Sequence, residues 1–272
     1  MKNPIMKKRL KKIINIFLDK FGLEIVRKHE KIFLSTKYQA LIEEMQIFFC
    51  EVMSEFRLKR SKRRIKLMME LNGTQISEAF YILMYLNKSI KVKGDVCEFG
   101  IANGTTSALL ANEIINVKKN LWLFDSFKGL SRPGKKDILI NDISKLGSIS
   151  KYEGSMNYSQ QDVDFRLKNI SFPKSKAKII AGFISDTVSD VKIKDGICFA
   201  YIDFDLYDPT KIALDFLDKN INKKGHIVID DYGFFTSGPK TAVDEFMKKR
   251  AESYKVYYPY KFAGHFCILE KI

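Results

Sequence analysis

Several signals that would assign this chain of 272 residues to a large class of proteins are missing. It contains no run of 18 apolar residues, which excludes a membrane-spanning helix, and no apolar segment with a cleavage site marks a secretory signal. Its four cysteines lie more than 40 residues apart, so they form no C-x-x-C zinc or redox pair. Three of them occur in apolar segments, and we therefore expect reduced thiols and a cytoplasmic protein.

Acidic residues are scarce in the first quarter of the chain, so most of the excess positive charge lies there. The formal net charge is +15. Residues 1–66 hold 18 of the 47 Lys and Arg residues but only 7 of the 32 Asp and Glu residues, so the remainder carries 29 against 25. We interpret the sequence as a basic N-terminal extension joined to a nearly neutral domain. A local contact with an anionic partner is expected, and a nucleic-acid groove across the whole protein is not.

Three helices are predicted in the first third of the chain. The first spans 5–26, where apolar residues recur at spacings of three and four and lysines cover much of the other face. The second spans 37–70 and ends in a basic run at 57–66, and the third spans 74–90. Two interpretations of the extension, residues 1–70, stay open. Its helices pack on the domain or on a second subunit of a homodimer, or the first helix makes a peripheral contact with the inner face of a membrane.

Strands alternate with helices after residue 90, which is typical of a parallel sheet covered by helices on both faces. The domain, residues 71–272, is therefore predicted to be α/β, with a doubly wound, mostly parallel, seven-stranded sheet. The last two strands are joined by too few residues for a crossover and should form an antiparallel hairpin at the sheet edge. The stretch 131–157 has no clear periodicity and is predicted to be a lid over a site. The predicted strands span 95–99, 121–125, 178–182, 197–203, 226–230, 255–258 and 265–270.

A glycine-containing turn follows the first predicted strand. The segment 96–107 reads VCEFGIANGTTS and places Glu98, Gly100 and Gly104 in an E-x-G-x-x-x-G pattern. This differs from the G-x-G-x-x-G turn of dinucleotide-binding proteins, and no lysine follows Gly104, as a phosphate-binding P-loop requires. The spacing fits a ligand with a nucleoside and an amino-acid tail but no phosphate. A tight turn without a ligand would also use these glycines.

Asp125 ends the second predicted strand, where a carboxylate can accept hydrogen bonds from ribose hydroxyls. Together with the glycine turn, it points to S-adenosylmethionine (SAM) as the cofactor. The expected fold is then a Rossmann-like class I SAM methyltransferase, and the antiparallel terminal hairpin agrees with it.

Carboxylates follow the fourth and fifth predicted strands. Asp203 ends the fourth strand, and the pair Asp230 and Asp231 ends the fifth. Because neighbouring parallel strands bring their carboxyl ends together, these side chains should meet and repel one another unless a proton or a cation neutralises them. Oxygen ligands without a nearby His or Cys favour Mg²⁺. The alternative, capping of helices and loops, suits Asp205 in part and the Asp230–Asp231 pair poorly.

These segments resemble the macrocin O-methyltransferase family, the metal-dependent sugar O-methyltransferases of macrolide and aminocoumarin biosynthesis. The resemblance covers residues 72–271, and the N-terminal extension lies outside it. In the order of the family, the matching segments are GDVCEFGIANGTTS, LFDSFKGL, AGFISDTV, YIDFDLYDPT, GHIVIDDYG and GPKTAVDEF. Relatives often carry a His near the predicted lid, whereas this chain has none between His29 and His226.

The resemblance implies roles for particular residues. It implies that Asp203, Asp230 and Asp231 hold the metal, and that Asp203 is also a candidate general base. Besides Gly104 of the turn, the implied cofactor residues are Glu98, Gly100, Asp125, Ser126, Gly182, Phe183 and Asp186.

The implied function is a SAM- and Mg²⁺-dependent O-methyltransferase that methylates a sugar hydroxyl of a surface glycan or a glycosylated metabolite. The vicinal hydroxyls of a catechol could bind the metal equally well, so a catechol-type small-molecule O-methyltransferase is an alternative. A second alternative is a nucleic-acid-binding protein that uses the basic run at 57–66 on a methyltransferase scaffold. RNA-binding surfaces usually interleave exposed aromatic and basic residues, and this run contains no aromatic residue, so no nucleic acid is expected.

Overall fold

A mixed seven-stranded sheet forms the centre of the computed structural model, which describes residues 28–53 and 58–272. The sheet order is β3-β2-β1-β4-β5-β7-β6, and it reverses between β1 and β4. In open α/β sheets, ligands bind beyond the carboxyl ends of the strands at such a reversal. The strands are β1 (Asp95–Phe99), β2 (Leu121–Asp125), β3 (Ala177–Ala181), β4 (Ile197–Ile202), β5 (Ile221–Ile229), β6 (Tyr254–Tyr257) and β7 (Cys267–Lys271).

The pairing confirms the predicted mostly parallel sheet with its antiparallel terminal hairpin. Strand β7 pairs antiparallel with both β5 and β6, while the other neighbours are parallel. Strand β5 begins at Ile221 rather than at the predicted His226, because Ile221 pairs with Ile197 ahead of an irregularity in the ladder. The polar residues 222–225 interrupt the apolar pattern there, which conceals the early start of the strand.

Helices pack on both faces of the sheet, as alternate side chains of β1 illustrate. Glu98 accepts a hydrogen bond from Ser107 of a helix on one face, whereas Phe99 belongs to a buried apolar cluster that includes Leu214 of a helix on the other. The helices are α1 (Lys28–Ile47), α2 (Lys62–Met68), α3 (Ile76–Ser89), α4 (Thr105–Ile114), α5 (Gln160–Asn169), α6 (Ile184–Thr187), α7 (Tyr207–Asn220) and α8 (Gly238–Arg250).

The expected core thiols are present in the sheet. Cys97 of β1, Cys198 of β4 and Cys267 of β7 are free and buried, and Cys50 is free and partly buried. Within the described ranges, no helix is long and apolar enough to cross a membrane.

The prediction of one long helix over 37–70 is wrong. Helix α1 ends at Ile47 and a π-helical turn follows, after which Met53 has an extended backbone. A new helix, α2, starts after Ser61, whose side chain accepts a hydrogen bond from the backbone N–H of Arg64. This cap favours a helix start inside the basic run.

The predicted first helix, 5–26, lies outside the described residues, so it stays a prediction. The chain divides into two compact units, residues 1–44 and 45–272. The predicted division at residue 70 into an extension and a domain likewise stays a prediction. Within the second unit, Phe49 stacks on Phe80 of α3 with ring centroids 4.8 Å apart.

Candidate active site

The carboxyl ends of β1, β4 and β5 lie level with one another and bring the predicted metal ligands to one edge of the sheet. The backbone N–H of Asp203 donates to the carbonyl of Phe99 at 2.7 Å, and that of Asp230 donates to the carbonyl of Ile202 at 2.9 Å. Because these hydrogen bonds continue the parallel ladder by one residue, the first residue after each strand occupies a fixed place beside its neighbour.

Three carboxylates form a compact cluster at this edge. Asp203, Asp205 and Asp231 each offer an oxygen atom, and these atoms all lie within 4.8 Å of one another. Asp205 and Asp231 have left-handed backbones, with φ of 62° and 55°. Such a backbone is uncommon for residues other than glycine, and it is concentrated at functional sites.

Asp205 is therefore a site residue that sequence reasoning assigned in part to capping. The D-x-D spacing of 203–205 is an insufficient signal for it, because Asp205 departs from the extended backbone that would project both side chains to the same side. Its loop is held in place by Thr236, whose hydroxyl donates to the Asp205 carbonyl at 2.6 Å.

Asp230 faces a second group of polar side chains beneath the cluster. The hydroxyl of Tyr201 lies 3.3 Å from Asp230 Oδ2, 3.3 Å from Glu78 Oε1 and 3.4 Å from Asp203 Oδ2. One phenol proton serves one acceptor at a time, so these carboxylates compete for it. Glu78 belongs to α3 and was not predicted; the signal for it is a lone carboxylate inside an apolar, buried helix.

Burial makes the charged form of these carboxyl groups costly. It raises the pKa of Asp203 and of Glu78 well above the ordinary range, and neighbouring carboxylates add to the effect. Burial likewise raises the pKa of Asp205 to about 8 and that of Asp231 to about 10. A divalent cation would remove the repulsion, and a donor set made only of carboxylate oxygens suits Mg²⁺. The residues present therefore fit such an ion.

The glycine turn lies next to this cluster, between β1 and α4. Gly100 has φ of 82°, and a Cβ added to it would lie 1.9 Å from the carbonyl oxygen of Asp203. Gly104 has φ of 78°, and a Cβ there would lie 3.1 Å from Val163 of α5. The turn itself therefore favours glycine at both positions, through the positive φ of each and, at Gly100, through the close approach to Asp203. Their role in cofactor binding stays a prediction.

Asp125 holds the glycine turn in place. Its Oδ2 accepts hydrogen bonds from the backbone N–H groups of Ile101 at 2.7 Å and Ala102 at 3.2 Å, and its Oδ1 accepts one from Phe127 at 2.7 Å. A carboxylate has about four acceptor positions, so it can still accept from a ribose hydroxyl.

Glu98 lies under the turn and is fully buried. One of its oxygens accepts from the hydroxyl of Ser107, and the other, Oε1, has no hydrogen-bond partner in the described part of the chain. Burial raises the pKa of Glu98 to about 8. An unpartnered buried carboxyl oxygen beside the turn fits a cofactor with a donor group, such as the amino group of SAM.

The remaining predicted cofactor residues lie on the loops after β2 and β3. The hydroxyl of Ser126 donates to the carbonyl of Gly129 at 2.9 Å, and the N–H of Gly182 donates to the carbonyl of Asp125 at 2.9 Å. The ammonium group of Lys128 lies 6.0 Å from the ring centroid of Phe183, and this contact connects the two loops. The carboxylate of Asp186 accepts a hydrogen bond from the adjacent Ser185.

The segment predicted as a lid, 131–157, borders the carboxylate cluster. Leu139 forms a bridge with Thr236, and the N–H of Ile140 donates to the carbonyl of Phe235 at 2.9 Å, so the segment lies against the loop that follows Asp231. Asp137 accepts a hydrogen bond from the first N–H of α7, at Tyr207. The function of the segment 131–157 as a lid stays a prediction.

The sheet order, the terminal hairpin and the position of the site define the fold as that of a class I methyltransferase. Residues 74–256, more than half of the chain, match the macrocin-O-methyltransferase (TylF) family. The chain belongs to this family.

A curated relative is also similar to this chain. A Streptomyces olivaceus protein, the 4'-O-methyltransferase of 8-demethyl-8-(2,3-dimethoxy-alpha-L-rhamnosyl)-tetracenomycin-C, is 22% identical over 144 residues, which cover 52% of this chain and 54% of the relative. The chain thus spans about half the length of this relative.

Two solved structures share the fold. The O-methyltransferase NovP superposes with a TM-score of 0.62 at 20% identity, covering 87% of this chain and 99% of NovP. The O-methyltransferase from Bacillus cereus, solved in complex with SAH, superposes with a TM-score of 0.54 at 10% identity, covering 88% of this chain and 99% of that protein.

Proposed function

We propose that this protein is an O-methyltransferase that uses SAM and Mg²⁺ to methylate a sugar hydroxyl of a surface glycan or a glycosylated metabolite. The observation that carries the proposal is the group of half-buried carboxylates beside the glycine turn, at the point where the strand order reverses. Family membership supports methyl transfer to oxygen. The printed name of the Streptomyces relative, a 4'-O-methyltransferase of a rhamnosylated compound, supports a sugar as the acceptor.

The cofactor would be held by the turn and by the residues at the ends of β1 to β3. Asp125 would accept hydrogen bonds from the ribose, and the unpartnered oxygen of Glu98 would accept one from the amino group. When bound, SAM supplies the methyl group on a sulfonium centre. The Bacillus cereus structure with SAH supports this choice of cofactor.

The cation would be held by Asp203 and Asp231, together with either Asp230 or Asp205. The resemblance to the family favours Asp230, while the 4.8 Å cluster favours Asp205. When bound, Mg²⁺ lowers the pKa of the acceptor hydroxyl.

Asp203 is the proposed general base, which takes the proton of the acceptor hydroxyl on a carboxylate oxygen. The hydroxyl of Tyr201 lies 3.4 Å from Oδ2 of Asp203 and can donate to it when it does not donate to Glu78 or Asp230. Asp205 lies in the same cluster and competes for this role. A positioned base contributes on the order of 10² to 10⁴ in rate.

The test is a methyl-transfer assay on the full chain with SAM and two acceptor classes, a rhamnoside and a catechol. We expect turnover of the rhamnoside that EDTA abolishes and Mg²⁺ restores. Turnover of the catechol alone would contradict the sugar acceptor and support the catechol alternative. Activity that survived EDTA would contradict the role of the cation.

The basic run at 57–66 supports a structural role better than nucleic-acid binding. Arg64 is buried and forms a two-point ion pair with Glu113 of α4, at 3.0 and 2.8 Å. Arg63 donates to the carbonyl of Ile170, and Arg60 pairs with Glu51. Because these guanidinium groups have partners within the protein, we propose no nucleic-acid partner.

Homodimer formation and a peripheral membrane contact remain rival proposals for the apolar stripe of the first predicted helix. A chain that begins at residue 30 separates them. If the stripe contacts membrane, this chain keeps its turnover and its number of subunits by light scattering but no longer sediments with anionic vesicles, since each basic residue near such a surface contributes about 1 kcal/mol. If the stripe forms a dimer, the number of subunits changes or the chain aggregates.

A further inference from the structure

A cavity of about 660 Å³ is lined by residues at the start of β5, whereas the candidate active site lies beyond the end of that strand. Its wall includes His226 of β5 and Glu270 of β7, which pair with each other in the sheet. Asp230 follows His226 along β5 at a distance of about 13 Å, calculated from the rise of an extended strand. The two sites therefore occupy opposite ends of the same strand.

Four lysines give this cavity its charge: Lys88, Lys91, Lys223 and Lys224. All four side chains are exposed. Within residues 28–53 and 58–272, none of them pairs with a carboxylate, although lysines elsewhere do so. The one acidic residue of the wall, Glu270, accepts a hydrogen bond from the hydroxyl of Tyr257 at 2.7 Å. Four cations against one carboxylate leave three positive charges in excess.

The rest of the wall consists of Val92 and three aromatic residues, Tyr85, His226 and Tyr257, and it is uncharged at neutral pH. His226 is buried, its Nδ1 lies 2.8 Å from the hydroxyl of Ser89, and burial lowers its pKa to about 4. The ring of Tyr85 lies 5.0 Å from the His226 ring, and the ammonium group of Lys88 lies 4.7 Å from the centroid of Tyr85. The ring of Tyr85 thus holds one lysine at the wall.

The backbone at the rim has an unusual conformation that places two of the lysines. Lys224 has φ of 65°. It lies in the irregular part of β5, between the pairings of Ile221 and His226 with β4. A regular strand would project Lys223 and Lys224 to opposite faces of the sheet, whereas here both line the same cavity.

We propose that this cavity binds a small anion with a di- or triphosphate group. The excess of three positive charges matches a ligand with several negative charges better than a single carboxylate. The volume lies within the range of about 300–1,000 Å³ of ligand pockets. Lysine binds phosphate as a compact point charge with rotatable donors, which suits a polyphosphate chain. Free pyrophosphate and the diphosphate of a nucleotide share this chemistry.

Titration calorimetry of the full chain with pyrophosphate, without SAM, tests the proposal. The test variant replaces Lys88, Lys91, Lys223 and Lys224 by Gln. The control variant replaces an equal number of exposed lysines away from the cavity by Gln: Lys151, Lys168, Lys174 and Lys192. We expect saturable binding that weakens at least tenfold in the test variant, or about 1.4 kcal/mol, and changes less than twofold in the control.

Absence of saturable binding by the full chain would overturn the proposal, and so would equal weakening in both variants, because that would indicate a response to net charge alone. A second titration with a nucleoside diphosphate distinguishes the sources. Tighter binding than pyrophosphate identifies a nucleotide that uses the aromatic wall, and equal binding identifies the free polyphosphate. SAM binding by the test variant should equal that of the unaltered chain, since the two sites lie at opposite ends of β5.

Discussion

The glycine turn and the carboxylate cluster are neighbours, but their polar groups are satisfied to different degrees. In the turn, Asp125 accepts three backbone hydrogen bonds, so the protein itself supplies donors to this carboxylate. In the cluster, the carboxyl groups of Asp203, Asp205 and Asp231 face one another, and burial raises the pKa of each. Asp125 therefore has hydrogen-bond donors without a ligand, while the cluster requires protons or a cation.

The largest effect should come from removing one shared ligand of the cluster. We expect Asp231→Asn to lower turnover by roughly 10²-fold or more, because it removes a charged ligand of the proposed cation, while SAM binding stays close to normal. It should also remove the rise in melting temperature that Mg²⁺ gives the unaltered protein, because a ligand that binds only the folded state stabilises it. Calorimetry with and without Mg²⁺ measures this.

Two further variants identify the third ligand of the proposed cation. If Asp205 holds the cation, Asp205→Asn loses the Mg²⁺-dependent stabilisation and Asp230→Asn keeps it; the reverse result assigns Asp230. Normal stabilisation in both variants and in Asp231→Asn would show that the cluster binds no cation.

The second largest effect should come from Gly100, which links the two regions. Gly100→Ala places a Cβ 1.9 Å from the carbonyl oxygen of Asp203. We expect strain and overpacking to cost roughly 2–5 kcal/mol in the free energy of unfolding. Gly147→Ala is the matched control, since Gly147 has φ of 83° with no atom near its added Cβ, and it should cost only about 1–2 kcal/mol.

Urea unfolding compares the two glycine variants. Equal losses would show that backbone strain alone explains Gly100 and that the close approach to Asp203 is relaxed easily. A larger loss of unfolding free energy for Gly100→Ala would show that the turn packs tightly against the cluster at Asp203. This variant would then be unsuitable as a test of cofactor binding.

The sequence predicts the sheet more fully than the site, for a physical reason. Apolar strands such as β1 and β4 and the short connection before β7 are local patterns, and they specify the order of elements. By contrast, the contribution of Glu78 depends on where α3 packs, far from the strands in the sequence. Asp205 enters the cluster through a left-handed backbone that no residue type requires.

A third and smaller effect concerns the pH dependence of stability. Burial raises the pKa of Glu98 to about 8, from an ordinary value of 4.5. Glu98 holds its proton more tightly in the folded protein than in the unfolded one. The contribution of this protonation to stability is therefore complete below about pH 4.5 and is lost as the pH rises through about 8. We expect Glu98→Gln to reduce the loss of unfolding free energy between about pH 5 and 8.5 by roughly 2–4 kcal/mol.

Urea unfolding at several pH values measures this slope. Glu153→Gln, at an exposed position in the predicted lid, is the control and should leave the slope unchanged. An unchanged slope in Glu98→Gln would mean that the Glu98 carboxyl group is solvated in solution, and the buried oxygen could then no longer support the cofactor site.

The smallest effect should be the loss of SAM affinity when Asp125 is changed, because the turn supplies three of the hydrogen bonds to its carboxylate and the cofactor would add only the one from its ribose. Asp125→Ala removes the acceptor of three backbone N–H groups as well as the proposed acceptor for ribose. A hydrogen bond from the ribose to this charged group would contribute about 1.5–3 kcal/mol. We therefore expect SAM affinity to fall by roughly 10- to 100-fold in calorimetry, with turnover at saturating SAM nearly normal. Asp125→Asn, which keeps one acceptor oxygen, should lose less. If both variants bound SAM normally, the ribose would lie elsewhere, and Asp125 would serve the turn alone.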